Sequence, residues 1–182
     1  MTAPDTTILA PKPGQTLPAL HLPLIGGGVA DITKPTGEHD WRLIVIYRGK
    51  HCPLCTQYLV ELEATRAQLS DIGIDVIAVS ADSEERATAH LANIETHFPV
   101  AYDLSEAQMQ KLGLYISGPQ SGVDVARPFA EPGLFTVDDQ ARIQLVDISN
   151  LPFSRPSLAK VANGMAWLRS QTAAFPINGS HA

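Results

Sequence analysis

The 182-residue sequence predicts an α/β domain: a central mixed sheet with helices packed on it. Three observations carry that expectation. Leu43-Ile44-Val45-Ile46 and the stretch Ile74 to Val79 are near-continuous apolar runs, as strands covered on both faces require. The segment between them repeats apolar residues at helical steps, so strand, helix and strand form a βαβ unit with parallel strands and a right-handed crossover. Farther on, Leu134 to Val137 and Ile143 to Ile148 flank the turn residues Asp138-Asp139-Gln140-Ala141, which predicts a hairpin and adds antiparallel pairing.

In chain order, residues 1–16 are rich in Pro, Thr and Gly and are expected to form a loosely attached, flexible arm. A single domain over 17–173 and a frayed tail over 174–182 complete the expected organisation. Leu17 to Leu24 and Val29 to Ile32, joined at Gly26-Gly27-Gly28, read as an N-terminal hairpin. The helix of the βαβ unit places Leu54, Cys55, Tyr58, Leu59, Leu62 and Leu69 on one side, and Gly73 is positioned to cap it. A second helix is predicted from Asp82, which has capping-box spacing to Glu85, through Ile94. Phe98 to Tyr102 reads as a strand confined to an edge by Pro99. Ser105 and Gln108 repeat the capping-box spacing before a short helix closed by Gly113. Leu114 to Pro132 reads mostly as loop. The final helix carries Leu158, Val161, Met165 and Leu168 at helical spacing.

Composition narrows the function. The chain is 45% hydrophobic with a formal charge of -6, and no run of Lys or Arg offers a footprint for nucleic acid or an anionic membrane. No run of 18 apolar residues predicts a membrane span. The start MTAPDTTILAPKPGQTL interrupts with Pro and Asp where a signal peptide is apolar, so the expected location is the cytoplasm. No nucleotide or flavin motif occurs, and no cofactor is expected.

The chemistry-bearing stretch is YRGKHCPLC, Tyr47 to Cys55. It holds the only two cysteines, Cys52 and Cys55, at the junction of the first central strand and its helix. Two cysteines three residues apart cannot staple distant parts of a fold, which points to redox or metal chemistry. Pro53 suits the first helical turn because its φ is already helical and its missing N–H would have had no partner there. Cys52 is then the N-cap, where free backbone N–H groups and the helix dipole favour a thiolate. Cys55 falls one turn on, with Cβ atoms about 5–6 Å apart, close enough to close a local disulfide. The rival reading from another class is a two-thiolate Cu(I) carrier, which metal analysis of the purified protein distinguishes; a zinc site lacks a second ligand pair.

The order of elements is that of the thioredoxin fold. The stretches YRGKHCPLC, IDVIAVSAD, EPGLFTVDDQ and SNLPFSRP, with the extra helix and strand between the halves and the N-terminal hairpin, resemble the peroxiredoxin branch. That is the alkyl hydroperoxide reductase and thiol-specific antioxidant family, and the likeness spans residues 14–170. It implies that Cys52 matches the peroxidatic cysteine, that the substrate is a hydroperoxide or a disulfide, that an external thiol reductant returns the electrons, and that the protein forms a homodimer. Two positions depart from the family. Gly49 stands where it has Thr or Ser, three residues before the reactive cysteine, and Pro132 stands where it has Arg. In the thioredoxin branch that second position is a cis-proline facing the sulfur, which points to a cis Glu131–Pro132 bond. The positive charge for a leaving oxygen then falls to Arg48, His51, Arg127 or Arg155, and Tyr47 and Pro132 complete the expected substrate-binding set.

Overall fold

The computed structural model describes residues 10–119, 122–171 and 175–181. Its centre is a five-stranded sheet in the order β5-β4-β3-β8-β9. The strands are β3 (Trp41–Ile46), β4 (Ile74–Val79), β5 (Val100–Ala101), β8 (Gly133–Asp138) and β9 (Ile143–Ile148). β3, β4 and β5 run parallel, and β8 and β9 are antiparallel to their neighbours. The mixed sheet expected from the apolar runs is therefore present. Pro99 leaves β5 two residues long and at the edge.

Alternate residues of the central strands enter two cores. Leu43, Val45 and Tyr47 face Leu59 and Leu62 of α1 (Pro53–Asp71) and Val161 and Met165 of α4 (Leu158–Arg169). Ile44, Ile46, Ile77 and Val79 face the other way, toward Leu20, Leu22, Met109 and Phe129. Two-sided burial explains why these strands read as unbroken apolar runs rather than alternating ones. α2 (Glu84–Leu91) contributes Leu91 to the first core, and α3 (Glu106–Lys111) contributes Met109 to the second.

Several boundaries differ from expectation for local reasons. α2 is capped by Ser83, whose hydroxyl accepts the Arg86 N–H, and it ends at Leu91. Asp82 is drawn away to accept the Lys50 N–H at 2.7 Å. On α1, Leu54 is 39% exposed while the other expected core residues are buried, although Cys52 and Cys55 on either side of it are enclosed. The Ser105–Gln108 capping box forms as read. The stretch read as loop before Pro132 contains a short ribbon, β6 (Ile116–Ser117) paired with β7 (Phe129–Ala130); two-residue strands are too brief to show periodicity. The N-terminal hairpin is β1 (His21–Pro23) with β2 (Val29–Asp31).

Of the expected arm, residues 1–9 lie outside the described residues. Gly14 donates to the Ile143 carbonyl at 2.8 Å, and Ile143 donates back to Gln15 at 2.9 Å. This part of the arm is a hydrogen-bonded margin beside β9 rather than a loose segment. In the expected tail, Phe175 packs edge-on against Trp167 with ring centroids 5.2 Å apart. Among the described residues, no helix is long and apolar enough to cross a membrane.

Candidate active site

Cys52 caps α1 with extended backbone angles, and Pro53 takes the first helical position, as the Cys-Pro pair predicts. The cap is made by sulfur: Cys52 Sγ accepts the Cys55 backbone N–H at 3.3 Å. Both thiols are free, and their surroundings are close, with Cys52 only 2% exposed and Cys55 fully buried.

Their environments push the two thiols apart. The hydrogen bond from the Cys55 thiol, assisted by the Cys55 N–H and the charges of Arg48 and Arg155, outweighs burial and brings Cys52 down to about 6. The same sulfur–sulfur hydrogen bond holds the Cys55 proton in place, and burial adds to it, so the Cys55 thiol is raised well above its ordinary range. A thiolate beside a protonated thiol is the arrangement of an attacking and a resolving sulfur.

The residues expected around the sulfurs divide into three groups. Arg155 approaches directly, with its Nη1 3.8 Å from Cys55 Sγ. The Arg48 and His51 side chains lie against Phe129: the Arg48 guanidinium sits 4.9 Å over that ring, and His51 meets it edge-on at 4.6 Å. Arg127 joins Arg48 and His51 only as a wall of a cavity of about 230 Å³ beside the Arg48–His51 loop, and it pairs with Asp103 at 2.7 Å. Both His51 ring nitrogens are buried with no partner among the described residues, and burial together with Arg48 lowers its basicity. Tyr47 is fully buried below the pair, its ring 5.6 Å from His90 and its hydroxyl near Ser80 but outside hydrogen-bond geometry. It is a core residue that borders the cysteines from beneath rather than one open to a ligand. A cavity of about 530 Å³ between Trp41, Asp138, Arg169 and Phe175 involves none of these groups.

The Glu131–Pro132 bond is trans, which corrects the cis expectation. The trans form is the lower-energy isomer of an X–Pro bond by about 0.5–1 kcal/mol, and the flanking backbone is already committed to extended pairing. Glu131 donates its N–H to Tyr115, and the Pro132 carbonyl accepts from Ser149. The neighbour of Pro132 carries the polar contact instead. Glu131 Oε2 is 3.2 Å from Arg48 Nε, off the N–H direction and so an ion pair without a hydrogen bond, while its Oε1 accepts the Ser117 hydroxyl at 2.7 Å.

Two further groups escaped the sequence reading. Asp82 sits under the loop at Gly49: a Cβ on Gly49 would stand 2.6 Å from Asp82 Oδ2, and φ there is +120°. Thr56 bridges the cysteine turn to α2, meeting His90 Nε2 at 2.9 Å. A hydroxyl side chain at position 49 is thus blocked both by backbone conformation and by the carboxylate. Gly49→Thr is expected to cost about 1–3 kcal/mol in strain and to bring no gain in peroxide reactivity, as read by denaturant melts and peroxide consumption.

Among the described residues no group of three or more His, Cys, Asp or Glu is placed to hold a metal. The sheet order, the α1 N-terminal cysteine and the partner cysteine a turn later define a thioredoxin-fold thiol oxidoreductase. The AhpC/TSA family model matches residues 13–146, and the chain belongs to that family. No curated protein matches it. Among solved structures it is similar to the peroxidoxin BcpB of Mycobacterium tuberculosis, with TM-score 0.71 and 16% identity over 87% of this chain and 99% of that one. A cysteine-to-serine mutant of peroxiredoxin 6 from Arenicola marina gives TM-score 0.73 at 14% identity, covering 93% and 80%. A putative thiol:disulfide interchange protein DsbE from Chlorobium tepidum gives 0.62 at 19% identity, covering 86% and 99%. These likenesses reach across the fold from peroxiredoxins to a disulfide-exchange relative.

Proposed function

We propose that the protein reduces small hydroperoxides with Cys52 as the attacking sulfur and Cys55 as the resolving one. One observation carries the reading: the Cys52 sulfur takes donors from Cys55 while remaining 2% exposed. A thiolate so enclosed admits a peroxide oxygen more readily than the sulfur of a folded partner. Cys52 thiolate attacks one oxygen, the O–O bond breaks, and the alcohol or water leaves after taking a proton, with Cys52 as the sulfenic acid. The Cys55 sulfur then displaces hydroxide from Cys52, its proton completes a water molecule, and a disulfide closes. An external dithiol reduces that disulfide and is itself oxidised to one.

Thiol–disulfide exchange is the second reading, favoured by two positions. Gly49 offers no hydroxyl and Pro132 no guanidinium where the family's peroxide machinery places them. Single-turnover oxidation of the reduced protein separates the two. Hydrogen peroxide is expected to convert Cys52 at least ~10²-fold faster than free cysteine at matched pH, with closure of the internal disulfide seen as the loss of two hydrogens by mass. A peroxide rate equal to that of free thiol, beside rapid reaction with a model aromatic disulfide, would reverse the order of the two readings.

A further inference from the structure

Arg155 differs from every other arginine of the chain. Each of the others pairs with an Asp or Glu carboxylate, whereas Arg155 has no such partner among the described residues. Its charge is nonetheless fixed in place. Nε donates to the Pro152 carbonyl at 2.8 Å, Nη2 donates to the Leu54 carbonyl at 2.8 Å, and the guanidinium lies 4.0 Å over the Tyr58 ring. Tyr58 is held in turn by its hydroxyl, which donates to the Pro156 carbonyl at 2.9 Å. Those contacts leave Nη1 directed at Cys55 Sγ, 3.8 Å away. Arg48, the other cation that acts on Cys52, is already paired to Glu131.

We infer that Arg155 is a catalytic residue for Cys55: it stabilises the anionic Cys55 sulfur both when the disulfide closes and when it is opened. The inference rests on Cys55 being the resolving thiol of the proposed cycle. Cys55 must give up a well-held proton to attack the sulfenic acid, and its lone pair becomes the S–S bond as hydroxide leaves Cys52. In the return step an external thiolate attacks the more accessible Cys52 sulfur. The S–S electron pair then retreats onto Cys55, which becomes a buried thiolate until it takes a proton. The second thiol of the reductant displaces the Cys52 thiolate and is oxidised with the first. A buried anion is costly without a counter-charge, and a preorganised guanidinium with no carboxylate of its own supplies one. Aliphatic contacts of the same loop would give Cys55 shelter but no such charge.

The test uses the full chain, oxidised to the disulfide with diamide and then reduced by dithiothreitol in single turnover. Arg155→Met keeps a stem over Tyr58 without the charge, and Arg155→Lys returns a cation without the fork. The Met variant is expected to slow both disulfide closure and its reduction by roughly 10–100-fold, and to slow the first oxidation of Cys52, on which the Arg155 charge is the smallest of several influences, by a clearly smaller factor. Sulfenic acid then accumulates and is captured by dimedone, and the Lys variant recovers part of both rates. Met and Lys variants that behave alike, or a Met variant that slows Cys52 oxidation as much as closure, overturn the assignment. If diamide closes the disulfide but peroxide does not, only the peroxide reading fails, since the reduction assay still reports on Arg155. If no oxidant closes it, both fail.

Discussion

Cys52→Ser is expected to abolish turnover, lowering oxidant consumption by ~10³-fold or more, because serine has no comparable nucleophile near neutral pH. Wild-type reactivity should then follow the thiolate fraction of Cys52. Its pKa is lowered to about 6, so the reactive form is present above that value and is lost as pH falls through it. Alkylation by iodoacetamide should be half-maximal near that pH, level off toward neutrality, and fall about tenfold for each unit below. Cys55→Ala removes the thiol donor, which is the largest influence on Cys52, and should move the midpoint upward. A wild-type midpoint in the ordinary thiol range would remove the basis for assigning Cys52 as the attacking sulfur.

The same stabilisation shapes the other half of the cycle. In the proposed cycle, holding one sulfur as an anion in the dithiol state would favour the reduced protein and make its disulfide a comparatively good oxidant, readily returned by an external dithiol. The division of labour follows from the helix start. Cys52 occupies the N-cap and meets the free N–H, while Cys55, a turn inside, sits in the core and keeps its proton. Exchanging the two positions would lose both advantages.

Local signals were the ones that could be read in advance. The apolar runs of β3 and β4, the Pro53 helix start and the Ser105–Gln108 box each depend on residues within a few positions, and each appears as expected. Arg155 was among several cations of equal standing, because its approach to Cys55 depends on a loop a hundred residues away in sequence folding over the first turn of α1. Glu131 and Asp82 were invisible as site residues for the same reason: their partners, Arg48 and the Gly49–Lys50 backbone, come from a different strand end. The cis expectation at Pro132 failed because the family position carries no information about the hydrogen bonds of Tyr115 and Ser149 that flank it. Periodicity over short stretches failed at β6 and β7, where two residues make no pattern.

A larger stability effect is expected away from the sulfurs, at Asp75. Arg42 of β3 and Asp75 of β4 are direct partners across the parallel pair, and the Arg42 side chain is among the most deeply buried in the protein, at 1% exposure. Arg42 Nε donates to Asp75 Oδ1 at 2.9 Å, and Nη2 bonds both Asp75 Oδ2 and the Thr36 hydroxyl. Thr36 itself donates its N–H and hydroxyl to Asp75 Oδ2, so one carboxylate joins the central strands to the loop before β3. Asp75→Ala removes the acceptor and leaves a guanidinium enclosed with too few partners, a change that costs about 3–5 kcal/mol for a broken buried pair. Thermal melts should show a loss of roughly 10 °C, with the Cys52 alkylation midpoint unmoved because the cluster lies at the opposite end of β3. The double variant Arg42→Met with Asp75→Leu should regain much of that loss, since the penalty lies in the stranded charge more than in the absent pair. A double variant as unstable as Asp75→Ala alone would instead show that anchoring the Thr36 loop is what the carboxylate contributes.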